Sequence, residues 1–356
     1  MTLLKRREFI KFSGFSLTAL QLGACSFGEQ VSSEQNVRLY GGFRSYGNTY
    51  GAACIDQRGE LIWKLDTPAR VHEVCLSDDL STGAVVARRP GTFIQLFSPF
   101  DGQELGQLRA PEGLILEGHA LFRTNSQGQN ELWATASLTQ TSESILLKYT
   151  LGNLSALPEK ISIAGLGPHQ MLSLSNQIVI AVGGWKSVGR TILNADSFAS
   201  GLVFFDTDSS TSSFVPMPTK QLSARHLDSD GENLWVGMQL ADPAPTQDAL
   251  LYSYSASNSW QVADSPKTGW PSFNGYIASV AASTDEVVAT SPQGHIYGRW
   301  DHQGLAIESI NSLDISAATS IDGKWWISSG LGEVSRVGKD IPSGIFWDNH
   351  WAGHLA

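Results

Sequence analysis

The sequence predicts an all-β protein in which repeated β-sheet units close into a ring, a seven-bladed β-propeller. From residue 37 onward, short runs rich in β-branched and aromatic residues, such as residues 92–97 and 177–182, alternate with turn dipeptides such as Asp101-Gly102. The 35 glycines suit many turns, and the 11 tryptophans suit broad sheet surfaces. No long helical periodicity accompanies these runs.

The units recur at a nearly fixed interval. Second strands are predicted to begin near residues 60, 84, 131, 177, 233, 286 and 324, and the last five intervals lie between 38 and 56 residues. This brackets the period of about 40–50 residues expected for a four-stranded propeller blade. The first interval is short, so the N-terminal unit lacks a strand that the C-terminal segment near residues 344–347 could supply. Six or eight blades, or a pair of β-sandwiches, are the alternatives.

The N-terminal segment has the features of an export signal peptide. Arg6 and Arg7 precede a short apolar stretch, residues 12–22, and resemble a twin-arginine (Tat) signal. That stretch is shorter than the roughly 20 residues a spanning helix needs. Residues 22–25, Leu-Gly-Ala-Cys, resemble a bacterial lipobox, in which Cys25 would carry lipid. Sec export and a plain cleavage site are the alternatives.

These features predict three segments: a lipoprotein signal peptide over residues 1–25, a polar tether over 26–36 and one propeller domain over 37–356. Acyl chains on Cys25 would hold the protein at the periplasmic side of a membrane without a spanning helix. The chain has 24 Lys and Arg against 34 Asp and Glu, a formal net charge of −10. This acidic balance argues against a nucleic-acid partner, because phosphate binding needs a basic surface.

Four of the eight histidines occupy the same position of the repeat. They are His72, His119, His169 and His226, at intervals of 47, 50 and 57 residues, each near the start of a first strand. The first strand of a blade is the innermost, so these four imidazoles are predicted to face the central channel. The matching places of the next two blades, near Ala278 and Ile315, carry no histidine.

Three roles fit such a half-ring of imidazoles. Histidines at strand starts can lock neighbouring blades together or simply line the channel, and this reading is favoured. They can bind a transition metal such as Fe, Zn or Cu, because imidazole is a ligand for each. They can also act in acid–base catalysis, because imidazole titrates near neutral pH.

Further candidates lie beside the histidines. Arg225 and Glu73 could add charge next to His226 and His72, although regular strand alternation would point them away from the axis. Trp185 and Arg190 follow the second strand of one unit, where a glycine-rich loop could cover the channel mouth and contact a ligand.

The remaining motifs carry less information about function. Cys54 and Cys75, placed in first strands of adjacent units, could form a disulfide after export or remain separate thiols. His350 and His354 are expected near the surface without a role. The chain has no Gly-rich phosphate loop, no Gly-x-Ser-x-Gly and no His-Glu-x-x-His, so no catalytic residue is identified.

Five segments together resemble the bacterial DUF1513 family. They are Arg89-Pro90-Gly91-Thr92-Phe93, Glu117-Gly118-His119, Gly167-Pro168-His169, Arg225-His226-Leu227 and Trp347-Asp348-Asn349-His350. The resemblance extends over residues 37–356. It implies an exported propeller similar to the quinoprotein amine dehydrogenase and YVTN-repeat groups. It also implies genes beside imelysin-like iron-regulated lipoproteins and di-haem proteins, and hence a role in iron uptake.

The leading functional hypothesis is therefore a non-enzymatic, exported propeller lipoprotein of an iron or metal acquisition system. It would bind a metal, a metal complex or an envelope partner, such as an imelysin-like or di-haem protein, through the four axial histidines. The alternatives are a periplasmic lyase, hydrolase or dehydrogenase with its site at the channel mouth, and a structural interaction scaffold.

Overall fold

Seven four-stranded antiparallel sheets make up the part of the chain described by the computed structural model, residues 36–356 without Tyr46, Arg190, Val337 and Gly338. The predicted signal peptide and nearly all of the predicted tether lie outside these residues. None of the described helices is long and apolar enough to cross a membrane.

The first three blades begin the ring. Blade 1 contains β1 (Val37–Ser45), β2 (Thr49–Asp56) and β3 (Leu61–Thr67). Blade 2 contains β4 (Val71–Leu76), β5 (Gly83–Ala87), β6 (Phe93–Phe97) and β7 (Glu104–Arg109). Blade 3 contains β8 (Leu114–Thr124), β9 (Asn130–Leu138), β10 (Glu143–Thr150) and β11 (Glu159–Leu166).

The next two blades carry the longest insertions. Blade 4 contains β12 (Pro168–Leu174), β13 (Gln177–Val182), β16 (Gly201–Asp206) and β17 (Thr211–Pro216). A small hairpin between β13 and β16 consists of β14 (Ser187–Val188) and β15 (Thr191–Ile192). Blade 5 contains β18 (Ser223–Ser229), β19 (Leu234–Gln239), β20 (Leu251–Ser255) and β21 (Ser259–Val262).

A short 3₁₀ helix, Trp270–Phe273, precedes the last two blades. Blade 6 contains β22 (Ser279–Ala282), β23 (Glu286–Ser291), β24 (Ile296–Asp301) and β25 (Ala306–Asn311). Blade 7 contains β26 (Ile315–Ile321), β27 (Lys324–Ser329), β28 (Glu333–Arg336) and β29 (Lys339–Pro342). The last strand, β30 (Trp347–Leu355), returns to blade 1.

The two chain ends close the ring. β30 pairs antiparallel with β1, with Val37 opposite Leu355 and Gly41 opposite Trp351, and becomes the innermost strand of blade 1. The innermost strands contact one another in the cyclic order β30, β4, β8, β12, β18, β22, β26 and back to β30. The predicted seven-bladed propeller and its closure by the C-terminal strand are therefore confirmed.

Blade 1 differs from the prediction in one detail. Residue 60 precedes β3, the outermost strand of blade 1, rather than a second strand, which accounts for the short first interval. For the same reason Cys54 lies in β2, the third strand of its blade, and not in a first strand as predicted. Cys54 and Cys75 are both free thiols in the structure.

The hydrophobic core lies between neighbouring sheets. Trp347 and Trp351 of β30 pack with Ala317 of β26 and Leu39 of β1, which joins blades 7 and 1. Complete burial of such apolar side chains contributes about 1.5–3 kcal/mol each, so every interface between blades adds to the stability of the ring.

The innermost strands of blades 1 to 5 depart from regular pairing where they approach the axis, as does β26 of blade 7 at residues 316–317. Each carries one or two extra residues relative to its neighbouring strand, which is a β-bulge. The unpaired segments are residue 72 in β4, 117–119 in β8, 169–170 in β12, 225 in β18 and 348–350 in β30. Because a bulge redirects the side chains around it, regular alternation does not hold here.

Candidate functional site: a five-histidine cluster on the axis

Five histidines meet on the propeller axis. The structure brings together the four from the repeat, His72, His119, His169 and His226, and adds His350 from β30. All five are buried, with exposed fractions between 0% and 6%. The expectation that His350 lies near the surface is wrong, because β30 is the innermost strand of blade 1 and its bulge lies beside the other four bulges. We call these five residues the histidine cluster.

The imidazole rings are in mutual contact. Ring centroids lie 5.5 Å apart for His72 and His169, 5.0 Å for His169 and His226, 4.7 Å for His226 and His350, and 4.9 Å for His350 and His72. His119 lies between 4.4 and 6.0 Å from each of these four rings. The cluster is thus a closed circuit of four imidazoles with a fifth in contact with all of them.

Burial keeps these imidazoles neutral. Removal from water lowers the pKa of every ring in the cluster, and for His350 to about 3. Neighbouring imidazoles and the Arg225 guanidinium lower these pKa values further, because each would repel a new positive charge. Neutral imidazole is the form that binds metal ions.

One carboxylate reaches the cluster from the neighbouring blade. Glu73 Oε1 lies 3.1 Å from His119 Nδ1, and Glu73 Oε2 accepts a hydrogen bond from the Ala120 backbone N–H at 2.9 Å. Burial raises the pKa of Glu73 to about 7. A carboxylate at Nδ1 orients the ring and leaves Nε2 of His119 toward the cluster, an arrangement typical of metal-binding histidines.

Several ring nitrogens in the cluster are buried without a hydrogen-bond partner. They are Nδ1 and Nε2 of His72, Nε2 of His119, Nδ1 of His169, Nδ1 of His226 and Nε2 of His350. A buried polar atom without a partner costs about 1–3 kcal/mol. A metal ion coordinated by these nitrogens would offset that cost.

The spacing of these nitrogens suits one metal site. Ligand atoms of His72, His119 and His169 lie within 4.8 Å of one another, as do those of His119, His226 and His350. Ligands of one ion are about 3–4.2 Å apart when metal–nitrogen bonds measure about 2.0–2.1 Å, so shifts of roughly an ångström or less would complete either set. An all-imidazole ligand set fits Fe, Cu, Zn or Ni and does not fit Mg²⁺ or Ca²⁺.

A cavity of about 160 Å³ leads from the channel mouth to the cluster. Its lining includes two cluster histidines, three arginines, one carboxylate and one indole: His72, His169, Arg88, Arg89, Arg225, Glu117 and Trp185. A second cavity, of about 270 Å³, shares Arg88, Gln239 and Tyr276 with the first and continues the mouth toward Arg70 and Asp348. We call the first space the mouth cavity.

Two predicted contact residues line the mouth cavity together. Arg225 is 5% exposed, and its Cζ lies 4.8 Å from the centroid of the Trp185 ring. Arg225 lines this cavity and Glu73 contacts His119 of the cluster, so neither points away from the axis. The bulges in β4 and β18 interrupt the alternation assumed from the sequence. Arg190, Cys25, Arg6 and Arg7 lie outside the described residues.

Sequence reasoning missed three further groups of this site. Arg88 and Arg89 follow β5, and Glu117 lies in the β8 bulge two residues before His119. Glu117 accepts a hydrogen bond from Ser137 Oγ at 2.5 Å and lies 3.5 Å from Arg89 Nε. Arg89 and Glu117 belong to the motif segments quoted above, but only their position around the axis reveals that they share one cavity.

Comparison with known proteins agrees with this architecture. The family described as "Protein of unknown function (DUF1513)" matches residues 65–354. A search of curated proteins gave no match. A functionally unknown protein from Desulfotomaculum acetoxidans is similar in structure, with a TM-score of 0.59 at 10% identity, covering 90% of this chain and 99% of that chain. The Dos1 propeller has a TM-score of 0.53 at 13% identity, covering 85% and 75%.

At such low identities these two structures show the fold alone. The family match extends over most of the chain, and residues 65–354 include all five motif segments and all five histidines of the cluster. The chain therefore belongs to the DUF1513 family.

Proposed function

We propose that the protein binds a first-row transition-metal ion in the histidine cluster. The observation that carries this proposal is the convergence of five buried, neutral imidazoles, each of which has at least one ring nitrogen without a hydrogen-bond partner. The ion would be held by at least three of these five imidazoles, with Glu73 orienting His119. The mouth cavity would give the ion access from one face of the propeller.

The contacts favour this role over blade locking. A histidine that locks blades is expected to bond through its ring to the backbone of a neighbouring strand. Within the described residues, no ring nitrogen of the cluster makes a hydrogen bond to a backbone group, and the one polar contact is that of His119 with Glu73. Buried ring nitrogens without partners on all five imidazoles are costly as mere channel lining.

Metal analysis of purified protein tests this proposal. The purified wild type and the variants His119→Ala and His350→Ala are incubated with Fe, Cu, Zn or Ni salts and separated from free ion. Bound metal is then measured by inductively coupled plasma mass spectrometry. We expect stoichiometric retention of at least one metal by wild type and a loss in both variants. His302→Ala, which removes an exposed histidine outside the cluster, should retain metal like wild type. Equal retention in all four proteins would overturn the proposal.

We further propose that this metal site serves an exported lipoprotein on the periplasmic side of the membrane. The support is the twin-arginine pattern at Arg6 and Arg7, the lipobox ending at Cys25, and the iron-uptake context implied by family resemblance. In that setting the protein would exchange metal with imelysin-like or di-haem partners.

Cell fractionation tests this location. Native protein is expected in the membrane fraction, Cys25→Ala in the soluble envelope fraction, and an Arg6→Lys and Arg7→Lys double variant inside the cell. Expression that rises under iron limitation would support the acquisition role. Soluble native protein, or expression indifferent to every metal, would contradict it.

A further inference from the structure

The mouth cavity has its own binding chemistry, centred on Arg225. Arg225 is buried, with 5% of the residue exposed, and both Nε and Nη1 of its guanidinium lack a hydrogen-bond partner. Trp185, 2% exposed, lies beneath this guanidinium and also has an unpartnered Nε1. Three unpaired N–H groups from two side chains thus lie at one buried place.

The backbone leaves room for this arginine. A Cβ on Gly183 would lie 2.4 Å from Ser223 Oγ and 2.8 Å from Arg225 Nη1, closer than atoms in contact allow. The Gly183 carbonyl accepts a hydrogen bond from Ser223 Oγ at 3.0 Å, which ties the loop of blade 4 to β18 of blade 5. The glycine-rich loop therefore holds the guanidinium plane against Trp185 instead of only making a turn.

The charge around the cavity is positive although the whole chain is acidic. Five arginines line the mouth cavity and the second cavity, against three carboxylates: Arg44, Arg70, Arg88, Arg89 and Arg225 against Glu117, Asp314 and Asp348. Arg70 pairs with Asp348, and Arg89 with Glu117. Arg225 makes no ion pair with a described residue, so its buried charge lacks a partner.

We infer that the mouth cavity binds a small oxyanion, in first place a carboxylate, which Arg225 holds in front of the histidine cluster. A planar guanidinium pairs with two oxygens of one carboxylate, and the indole N–H of Trp185 adds a third donor. The cavity of about 160 Å³ admits an ion of acetate or oxalate size. His72 and His169 form part of the same lining, so the bound anion would adjoin the metal of the proposed function, on which this placement rests.

Calorimetric titration tests the anion site separately from the metal site. Oxalate, acetate and inorganic phosphate are titrated into the full-length protein in two states, freed of metal by a chelator and loaded with metal. Titration of a chloride salt with the same cation is the control. We expect saturable binding of at least one oxyanion to wild type. Comparison of the affinities for the carboxylates and for phosphate identifies which oxyanion the cavity prefers.

Three variants localise the binding. Arg225→Gln removes the charge, and Gly183→Ala keeps the charge but displaces the guanidinium. Each should weaken oxyanion binding at least about tenfold, the value of one charge-assisted hydrogen-bond pair. Arg336→Gln is the control, because Arg336 also lies over an indole, 5.2 Å from the Trp326 centroid, but belongs to β28 of blade 7. It should bind like wild type.

The outcomes separate the two proposals. In one outcome, the wild type retains no metal after loading and still binds an oxyanion, and Arg225→Gln loses that binding. This result would sustain the anion site and refute the metal site. Wild type that binds neither carboxylates nor phosphate, in both metal states, would overturn the anion site whatever its metal content. Equal affinities in wild type, Arg225→Gln and Gly183→Ala would do the same.

Discussion

Glu73 shows how single residues connect neighbouring blades at the axis. It follows His72 in β4 of blade 2, yet its carboxylate contacts His119 and the Ala120 N–H of blade 3. Because each oxygen has a partner in the next blade, Glu73 fixes His119 relative to His72. We therefore regard it as a positioning residue for the cluster.

Replacing Glu73 by glutamine should weaken metal binding without removing a ligand. The amide keeps the shape of the side chain but loses the negative charge at His119 Nδ1, so we expect affinity to fall about 10- to 100-fold. Competition with a chelator of known affinity measures this change. Glu143→Gln, at an exposed site in β10, is the matched control and should leave affinity unchanged. Unaltered affinity in Glu73→Gln would argue against the positioning role.

The two described cysteines should be unreactive in the folded protein. Burial raises the pKa of Cys54 to about 12 and raises that of Cys75 well above the ordinary thiol range, so little thiolate forms at pH 8. Alkylation followed by mass spectrometry should find both thiols unmodified when folded and modified after unfolding without a reductant. A pair that resists alkylation until a reductant is added would indicate a disulfide instead.

At the scale of elements, the innermost strands combine a predictable pattern with an unpredictable irregularity. The repeat interval places His72, His119, His169 and His226 on equivalent strands, and this follows from the sequence. The bulges cannot be predicted from the sequence in the same way, because the sequence alone does not show which residues the neighbouring strand leaves unpaired. They turn Glu73 and Arg225 toward the site, against the strict alternation of a regular strand.

Gly118 illustrates what the β8 bulge requires. Its φ is +104°, and a Cβ there would lie 2.6 Å from His72 Cδ2. Gly118→Ala should therefore destabilise the fold by about 1–3 kcal/mol and, by displacing His72, lower metal affinity.

Gly113→Ala provides the control for backbone strain. Gly113 also has a positive φ, +80°, but a Cβ there meets nothing within 4 Å. It should lower the free energy of unfolding in urea while leaving metal affinity intact. If both alanine variants retained full affinity, the bulge would not control the position of His72.

At the scale of the whole molecule, ring closure and the site depend on the same strand. β30 supplies Trp347 and Trp351 to the interface between blades 7 and 1, and it supplies His350 to the cluster. A C-terminal closing strand was predicted from the short first interval. His350 was missed because its strand is distant in sequence from the blade it completes, and so it falls outside the repeat interval that revealed the other four.

Trp347 should contribute strongly to the stability of the closed ring. Its indole is 2% exposed, packs edge to face on Trp351 at 4.9 Å, and donates a hydrogen bond to Ser343 Oγ at 2.9 Å. Trp347→Ala should lower the free energy of unfolding by about 3–5 kcal/mol in a urea titration. Phe100→Ala, at a side chain that is 73% exposed, should change it by about 0.5 kcal/mol or less. Similar losses in the two variants would contradict closure by a packed β30.

X-ray absorption spectroscopy of the metal-loaded protein tests most directly the central claim, that imidazoles of the histidine cluster bind a metal ion. We predict a shell of nitrogen ligands at about 2.0–2.2 Å, with the multiple-scattering pattern of at least three imidazole rings. A shell of carboxylate oxygens or thiolate sulfurs without imidazole scattering, or a protein that takes up no metal, would contradict it.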